Sequence, residues 1–297
     1  MNEPLFSSIR LILLGIALVA LCDSTIAQSP EWARVMATHE SLRAATNQDD
    51  RLALHVELGK LWPEALATGH AFGVDWSLWN NAVVDLGIEN ERLLTFTWNV
   101  ELDDRTQRYG GWVAYADVES DLGYTFVMLE HNLDSRMEDV GRLFRHDQWP
   151  GGLYYDGVIT YDRNAPIYTL LAWDGADALT TRKKIETIEH RNGRVRFGAP
   201  IFDLPTGLQK RVILTYGDAV QATLRNEPDM ERIVFDHLAP EDASLRGQYA
   251  FYGPTLSYDG LVWRKGRWQF ISDVPVRNSK EGSSKEYRDP RNRGRRN

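Results

Sequence analysis

The chain has 297 residues, of which 43% are hydrophobic and 26% charged, and these proportions exclude a collagen-like, wholly disordered or multi-span membrane protein. Its formal net charge is −8; because residues 280–297 contribute +4 and residues 1–27 contribute −1, residues 28–279 carry −11. Such an acidic body argues against a nucleic-acid-binding surface, since neutralising phosphates requires clustered Lys and Arg.

The N-terminal residues have the pattern of a secretory signal. An uncharged run, residues 11–22, follows Arg10, and the segment Thr25-Ile26-Ala27 offers small residues just before a cut. We interpret residues 1–27 as a signal peptide that is removed. The run is too short for a transmembrane helix, which needs about 20 apolar residues. We therefore expect an exported protein, periplasmic or extracellular, with no transmembrane segment in the mature chain.

Cys22 is the only cysteine, so the chain forms no intrachain disulfide and no cysteine-based metal site. Anchoring of the protein as a lipoprotein through Cys22 is an alternative to cleavage after Ala27. It is the weaker alternative, because Leu21 occupies the position where a lipobox normally has Gly, Ala or Ser.

Two helices are predicted next, within a helical segment assigned to residues 28–79. Ser29 is a suitable N-cap, Pro30 suits the first helical position, and apolar residues follow at helical spacing. A second helix is expected after Asn47, although residues 52–58 also alternate as a strand would. We favour a helical hairpin.

From residue 80 to residue 278 the pattern changes to short runs rich in β-branched and aromatic residues. The predicted strands cover residues 93–98, 112–115, 124–129, 153–161, 167–173, 184–189, 212–216, 220–224, 232–235 and 261–270. No helical pattern of ten or more residues interrupts them, which excludes a parallel α/β sheet. The basic tail, residues 279–297, has no apolar periodicity and is expected to be disordered.

Pairs of residues that tolerate positive φ predict tight turns between these strands. They are Asp156-Gly157, Asp174-Gly175, Asn192-Gly193, Asp259-Gly260 and Lys265-Gly266. The predicted fold is mainly β, an antiparallel meander of about twelve strands preceded by the helical hairpin. So many strands require packed sheets or a barrel. A propeller-like arrangement is the second choice, because the tryptophans do not recur at one spacing.

No sequence motif assigns a chemistry: G-x-S-x-G, S-x-x-K, H-E-x-x-H and a glycine-rich phosphate loop are all absent from the sequence. Asp236 and His237 place an acid beside an imidazole at a strand end, where Ser257 or Tyr258 would complete a hydrolase triad. Adjacent residues on a strand point to opposite faces, however. This favours a buried Asp or His bonded to turn backbone.

Four aspartates are candidates for the paired carboxylates of a glycan hydrolase, because acids that bind sugars often lie near aromatic residues. They are Asp156, Asp174, Asp236 and Asp259. Core aromatics beside turn aspartates produce the same pattern, and we favour that explanation.

Two acidic segments are candidates for a Ca²⁺ site. Asp117, Glu119 and Asp121 alternate, so a strand would place three carboxylates on one face. Asp174 and Asp177 form a second acidic pair. Neither segment matches the D-x-[DN]-x-[DN]-G loop, and both fall where turns are expected, so we favour solvated turns and predict no metal and no cofactor.

Several segments between residues 90 and 278 form a fairly specific combination. They are LTFTWN at 94–99, YTLLAWDG at 168–175, RFGAPIF at 196–202, KRVI at 210–213, IVFDHL at 233–238, YGP at 252–254 and SYDG at 257–260. In this combination the chain resembles a family of uncharacterised secreted or envelope proteins from Gram-negative bacteria. The resemblance implies an exported protein with a single β-rich body, and it implies no activity, cofactor or catalytic residue.

Two functions are compatible with the sequence. The leading one is an exported, non-enzymatic protein that binds a partner protein or an envelope polymer. The alternative is a secreted glycan hydrolase acting through paired aspartates. A hydrolase requires a concave pocket in which at least two aspartates converge, whereas a binding protein requires a surface groove or an exposed aromatic patch.

Overall fold

In the computed structural model of the chain, the described residues are 29–76, 83–133, 139–191 and 194–275. The predicted signal peptide, the Asn192-Gly193 turn and the predicted disordered tail lie outside them. The described part is mainly β, as predicted, with two N-terminal helices and 16 strands in three sheets.

The two helices are α1, Pro30–Ala44, and α2, Gln48–Leu66, so the predicted helical hairpin is confirmed. Both begin at the expected caps. Ser29 Oγ accepts a hydrogen bond from the backbone N–H three residues later at 3.5 Å, and the Asn47 side chain accepts the equivalent bond at 2.9 Å. These caps satisfy backbone donors that have no partner within the first turn. Among the described residues, no helix combines the length and the apolar character needed to cross a membrane.

Sheet I is an antiparallel meander that packs under the helices. Its strands, in sheet order, are β1 (Val83–Leu86), β2 (Leu93–Glu101), β3 (Gln107–Ala116) and β4 (Tyr124–Leu129). Successive side chains of β2 point to opposite faces. Phe96 and Trp98 join the cluster under the helices, and Leu93 joins the cluster shared with the second sheet.

Sheet II is the middle sheet. It contains β5 (Phe144–Arg145), β6 (Leu153–Asp162), β7 (Ala165–Asp174), β8 (Thr180–Arg191) and β9 (Arg194–Phe197), joined by a strand that follows later in the chain, β12 (Arg211–Gly217). The long strand β8 pairs with β7 along one edge and with β9 and β12 along the other.

Sheet III closes the stack on the far side. It contains β10 (Phe202–Leu204), β11 (Gly207–Gln209), β13 (Leu224–Glu227), β14 (Arg232–Pro240), β15 (Tyr252–Arg264) and β16 (Arg267–Ile271). Its strands pair antiparallel apart from β10 and β16, which run parallel.

Three hydrophobic clusters hold these layers together. One lies between the helices and sheet I, the second between sheets I and II, and the third between sheets II and III. Strand β7 is buried on both faces, since Leu170 belongs to the second cluster and Leu171 to the third. This double burial explains its continuous apolar run, YTLLAW. Packed sheets, one of the predicted arrangements, are what the structure shows.

The predicted turns have mixed outcomes. Lys265-Gly266 joins β15 to β16 with φ of 50° and 74°, as a two-residue hairpin turn requires. Asp174-Gly175 ends β7, but the positive φ of that connection, 44°, falls on Ala176. The turn between β6 and β7 is formed by Arg163-Asn164, which no glycine signals in the sequence.

Two predicted turns are wrong. Asp156-Gly157 lies inside β6 beside a bulge, and Asp259-Gly260 lies inside β15. These glycines serve close packing and not turn geometry. A Cβ at Gly157 would come within 2.8 Å of Leu86 in sheet I, and a Cβ at Gly260 within 2.9 Å of a backbone oxygen of β14. The predicted strand at residues 220–224 is also wrong, since β13 begins only at Leu224.

Candidate functional site

A row of charged side chains is buried between sheets I and II. Arg182, Lys184 and Glu186 alternate along β8 and therefore share one face of the strand. Lys184 and Glu186 are each only 1% exposed, and their cross-strand partners in β7 are Ala172 and Leu170. Buried charges must be paired or hydrogen-bonded, because transfer out of water is otherwise too costly.

Asp174, at the end of β7, accepts a hydrogen bond from the Tyr109 hydroxyl at 2.8 Å and from the Ala176 N–H at 3.0 Å. Its Oδ2 lies 3.8 Å from Lys184 Nζ and 3.7 Å from Arg182. Burial opposes ionisation of Asp174, but the Lys184 charge and the Tyr109 hydrogen bond outweigh it, so the pKa of Asp174 is lowered. Asp174 is thus a compensated anion, with the wrong protonation preference for a general acid near neutral pH.

Deeper in the same layer, Glu186 accepts hydrogen bonds from Tyr154 at 2.7 Å and from Arg211 Nε at 3.4 Å. The Arg211 guanidinium also donates to the carbonyls of Asp139 and Arg142 and lies over the Phe144 ring. Every charge here has a partner and the group is sealed from solvent. We assign this pair to the architecture of sheet II and not to ligand binding.

At the outer end of the charged row the layer opens into a cavity of about 310 Å³, here called the polar lobe. Its wall includes Gln107, Arg108, Tyr109, His131, Asp174 and Arg182. These residues come from the start of β3, the segment after β4, the end of β7 and the start of β8. The meander of sheet I and the hairpin of sheet II therefore bring together residues that are up to 75 positions apart.

A second cavity of about 260 Å³, the aromatic lobe, lies between α2 and sheet I. Its wall includes His55, Gly59, Trp98, Gly110, Trp112 and Glu130. The Trp98 ring lies against Gly110, where an added Cβ would come within 2.3 Å of two ring atoms. Arg108, Tyr109 and His131 line both lobes. The two lobes lie on opposite faces of β3, and we refer to them together as the Arg108 cleft.

Two histidines of the cleft have fixed roles. The Tyr109 backbone N–H donates to Nδ1 of His131 at 3.2 Å, and Trp98 Nε1–H donates to Nδ1 of His55 at 3.0 Å. Because Nδ1 accepts in both rings, the proton of each neutral imidazole resides on Nε2. Burial, reinforced by Lys184, lowers the pKa of His131 to about 4, and burial with Arg108 lowers that of His55. Both rings are therefore uncharged hydrogen-bond donors at neutral pH.

Arg108 stands at the junction of the lobes and is partly exposed. Within the described part of the chain its guanidinium forms no hydrogen bond and no ion pair. Arg182 differs, since it approaches Asp174. Glu130 lines the aromatic lobe but is exposed, and its carboxylate oxygens lie more than 4.0 Å from the Arg108 guanidinium nitrogens. Arg108 is thus the cation of the cleft whose charge is not compensated by a direct contact.

The aspartates predicted from the sequence do not meet in this cleft. Asp174 alone among the four lines one of the cavities. Asp156 accepts hydrogen bonds from the backbone N–H groups of Gly157 and Asn226, and Asp236 from that of Thr223. Asp236 thus follows the explanation we favoured, a buried Asp bonded to backbone. Asp236 and Asp259 point to opposite faces of sheet III, because Phe235 and not Asp236 pairs with Asp259.

His237 pairs with Asp259 and not with its sequence neighbour Asp236. Its Nδ1 lies 2.7 Å from Asp259 Oδ2, and its side chain is half exposed beside a bulge in β14. The candidate nucleophile Ser257 instead contacts Thr255, with 3.0 Å between the hydroxyl oxygens. His237 and Asp259 therefore form a dyad on sheet III, and among the described residues no Ser, Thr or Cys side chain is hydrogen-bonded to His237.

The acidic segments proposed for Ca²⁺ are turns. Asp117 accepts from the Glu119 N–H at 3.0 Å and from the Thr125 hydroxyl at 2.7 Å, while Glu119 and Asp121 are exposed. Asp177 accepts from the backbone N–H groups of two following residues. Across the described residues, no three His, Cys, Asp or Glu side chains are grouped so as to hold a metal ion.

Sequence reasoning missed most of the cleft. Arg108, His55 and His131 belong to no motif, and they meet only because α2 packs on sheet I. The one available signal was the pair Gly110-Gly111 inside a predicted β region, since glycine within a strand often marks close approach of another group.

Comparisons with known proteins give no match: no family model, no curated protein and no solved structure is similar to this chain.

Proposed function

We propose that this chain is an exported, non-enzymatic protein that binds an extended envelope polymer in the Arg108 cleft. The observation that carries the proposal is that the polar and aromatic lobes adjoin each other and share the wall residues Arg108, Tyr109 and His131. Ligand sites are typically concave, with apolar and aromatic walls and a few oriented polar groups, and the cleft has this composition.

The shape supports a polymer more than a small molecule. Two lobes of about 310 and 260 Å³ that share three wall residues offer adjacent subsites, and both are open to solvent. Trp98 and Trp112, which are 5% and 8% exposed, contribute apolar surface to the wall of the aromatic lobe, while the two histidines supply N–H donors. A chain of similar units would occupy both lobes at once.

The placement of the aspartates supports binding more than hydrolysis. Glycan hydrolysis requires two carboxyl groups within about 10 Å across the scissile bond. Of the four candidates Asp174 alone reaches the cleft, and the other acid of the wall, Glu130, lines the aromatic lobe and not the polar lobe that contains Asp174. Asp174 is also engaged by Tyr109, Lys184 and Arg182.

Export is the second part of the proposal and is supported by the sequence of residues 1–27 and by the resemblance to secreted or envelope proteins. Mass spectrometry of the protein recovered from the periplasm or medium should give a mature N-terminus at Gln28. Retention of residues 1–27, or a lipid on Cys22, contradicts this part without touching the cleft.

The binding claim is tested by co-sedimentation of the mature protein with envelope polysaccharide isolated from Gram-negative cells. Gly59→Trp is the informative variant, because a Cβ at Gly59 meets no atom within 4 Å and the indole would fill the aromatic lobe. Lys60→Trp adds the same bulk at an exposed neighbouring position. We expect the first variant to lose sedimentation and the second to retain it; equal sedimentation of both, or release of sugar fragments by the wild type, contradicts the proposal.

A further inference from the structure

The Arg108 cleft contains one cation without an ion-pair contact in the described ranges, in a protein whose body is strongly acidic. Residues 28–279 carry −11, a charge that repels anionic polymers at long range. An arginine that lines two cavities and has no ion-pair partner among the described residues is therefore informative. Guanidinium groups bind carboxylates through two parallel N–H···O bonds.

The other charged residues of the cleft wall form no ion pair with Arg108, so its guanidinium is available to a ligand. Asp174 is neutralised by Lys184 and Arg182 and receives the Tyr109 hydrogen bond, so it does not compete for Arg108. Glu130 is the remaining acid of the wall, and its exposure means that water screens it.

The histidines add donors without adding charge. His55 and His131 both use Nδ1 as an acceptor, which leaves Nε2–H as the donor of each ring. One cation flanked by two neutral donors suits a single negative group on an otherwise neutral unit. A phosphate monoester, with up to two charges, usually requires more than one cation.

We propose that the ligand of the Arg108 cleft is an acidic saccharide, whose ring enters the aromatic lobe and whose carboxylate is bound by the Arg108 guanidinium. This inference rests on the proposed function and specifies the chemical class of the polymer. Arg108 is assigned as the specificity-determining residue, with His55 and His131 as the neutral donors beside it.

Calorimetric titration with galacturonate oligomers tests the proposal, with their methyl esters as the neutral counterpart of identical size. We expect the acid form to bind about tenfold more tightly than the ester, the size expected of charge-assisted hydrogen bonds. Arg108→Gln should abolish that difference. Arg108→Lys should restore only part of it, because an ammonium lacks the bidentate geometry. Glu130→Gln should tighten acid binding, since it removes a nearby negative charge.

Three outcomes overturn the proposal. Equal affinity for acid and ester would show a cleft that binds sugars without reading charge, so the proposed function would survive and this inference would fail. Tighter binding of a phosphorylated oligosaccharide of equal length would replace the carboxylate by a phosphate. Absence of binding to every oligosaccharide, together with unchanged sedimentation of the Gly59→Trp variant, would contradict both this inference and the proposed function.

Discussion

The hydroxyl of Tyr109 donates to Oδ1 of Asp174 over 2.8 Å and also accepts the Gly175 N–H at 3.0 Å, so one side chain of sheet I fixes the end of a strand in sheet II. The contact forms part of the wall of the polar lobe. It also explains why Asp174 is buried although it ends a strand, since its charge is held between Tyr109 and Lys184.

Replacing Asp174 by Asn should destabilise the protein strongly. The change leaves the Lys184 ammonium buried without its countercharge, and breaking one partner of a buried pair typically costs about 3–5 kcal/mol. Tyr109→Phe removes only the hydroxyl and should cost about 1–3 kcal/mol. Urea unfolding of the two variants measures both values, and an Asp174→Asn cost below that of Tyr109→Phe would show that Lys184 finds its compensation elsewhere.

The Glu186 and Arg211 pair should behave as a coupled unit. Each is 1% exposed, so either single replacement, Glu186→Gln or Arg211→Met, leaves a buried charge and should cost about 3–5 kcal/mol. The double variant should cost clearly less than the two single losses added together. A double-mutant cycle in urea decides this, with additive losses contradicting a direct interaction.

The close contact between Gly110 and Trp98 predicts opposite effects for two glycines of the same lobe. Gly110→Ala forces the Trp98 ring to move and should cost about 1–3 kcal/mol, as overpacking does. Gly59→Ala meets no atom within 4 Å and lies in α2, so it should stabilise by up to about 1 kcal/mol through helix propensity. Thermal unfolding compares them, and equal shifts of the two midpoints would contradict the packing.

A pH dependence is expected from His39, which packs edge-on against Trp62 and Trp98. Burial, and to a smaller extent Arg43, lowers its pKa from 6.5 to about 4. Between pH 4 and pH 6.5, His39 is therefore protonated in the unfolded chain and neutral in the folded protein. The free energy of unfolding should fall as the pH drops from 7 to 4, by roughly 3 kcal/mol for this group.

Substituting His39 by Phe keeps an aromatic ring in place and should flatten that part of the pH profile. Val35→Ala, in the same core, is the matched control and should lower stability by a similar amount at every pH. If the His39→Phe profile stays parallel to that of the wild type, the protonation of His39 does not contribute to acid unfolding.

The layers of the fold could be read from the sequence because their signals are local. Ser29 and Asn47 cap the helices by contacts within three residues, and Lys265-Gly266 turns the chain within two. The predictions were wrong where a residue packs against, or pairs with, a residue that is distant in the sequence. Gly260 allows close approach of another strand, and Asp174, which as a turn aspartate would tolerate Asn, is instead a buried ion-pair partner.

The cleft was beyond local reasoning for the same physical reason. His55 is in α2, Trp98 in β2 and His131 after β4, and only the packing of the helices on sheet I brings them together. The pairing of His237 with Asp259, 22 residues away, and not with adjacent Asp236, likewise depends on strand register.

The proposed role of the Arg108 cleft is tested most directly by the indole N–H signals in a proton–nitrogen correlation spectrum, recorded while soluble fragments of envelope polysaccharide are added. Trp98 and Trp112 line the aromatic lobe, whereas Trp263 and Trp268 pack against each other in sheet III and serve as internal references. We predict saturable shifts of the first pair and unchanged positions of the second. Shifts confined to Trp263 and Trp268, or no shift in either pair while fragments still bind, would place the binding site outside the cleft.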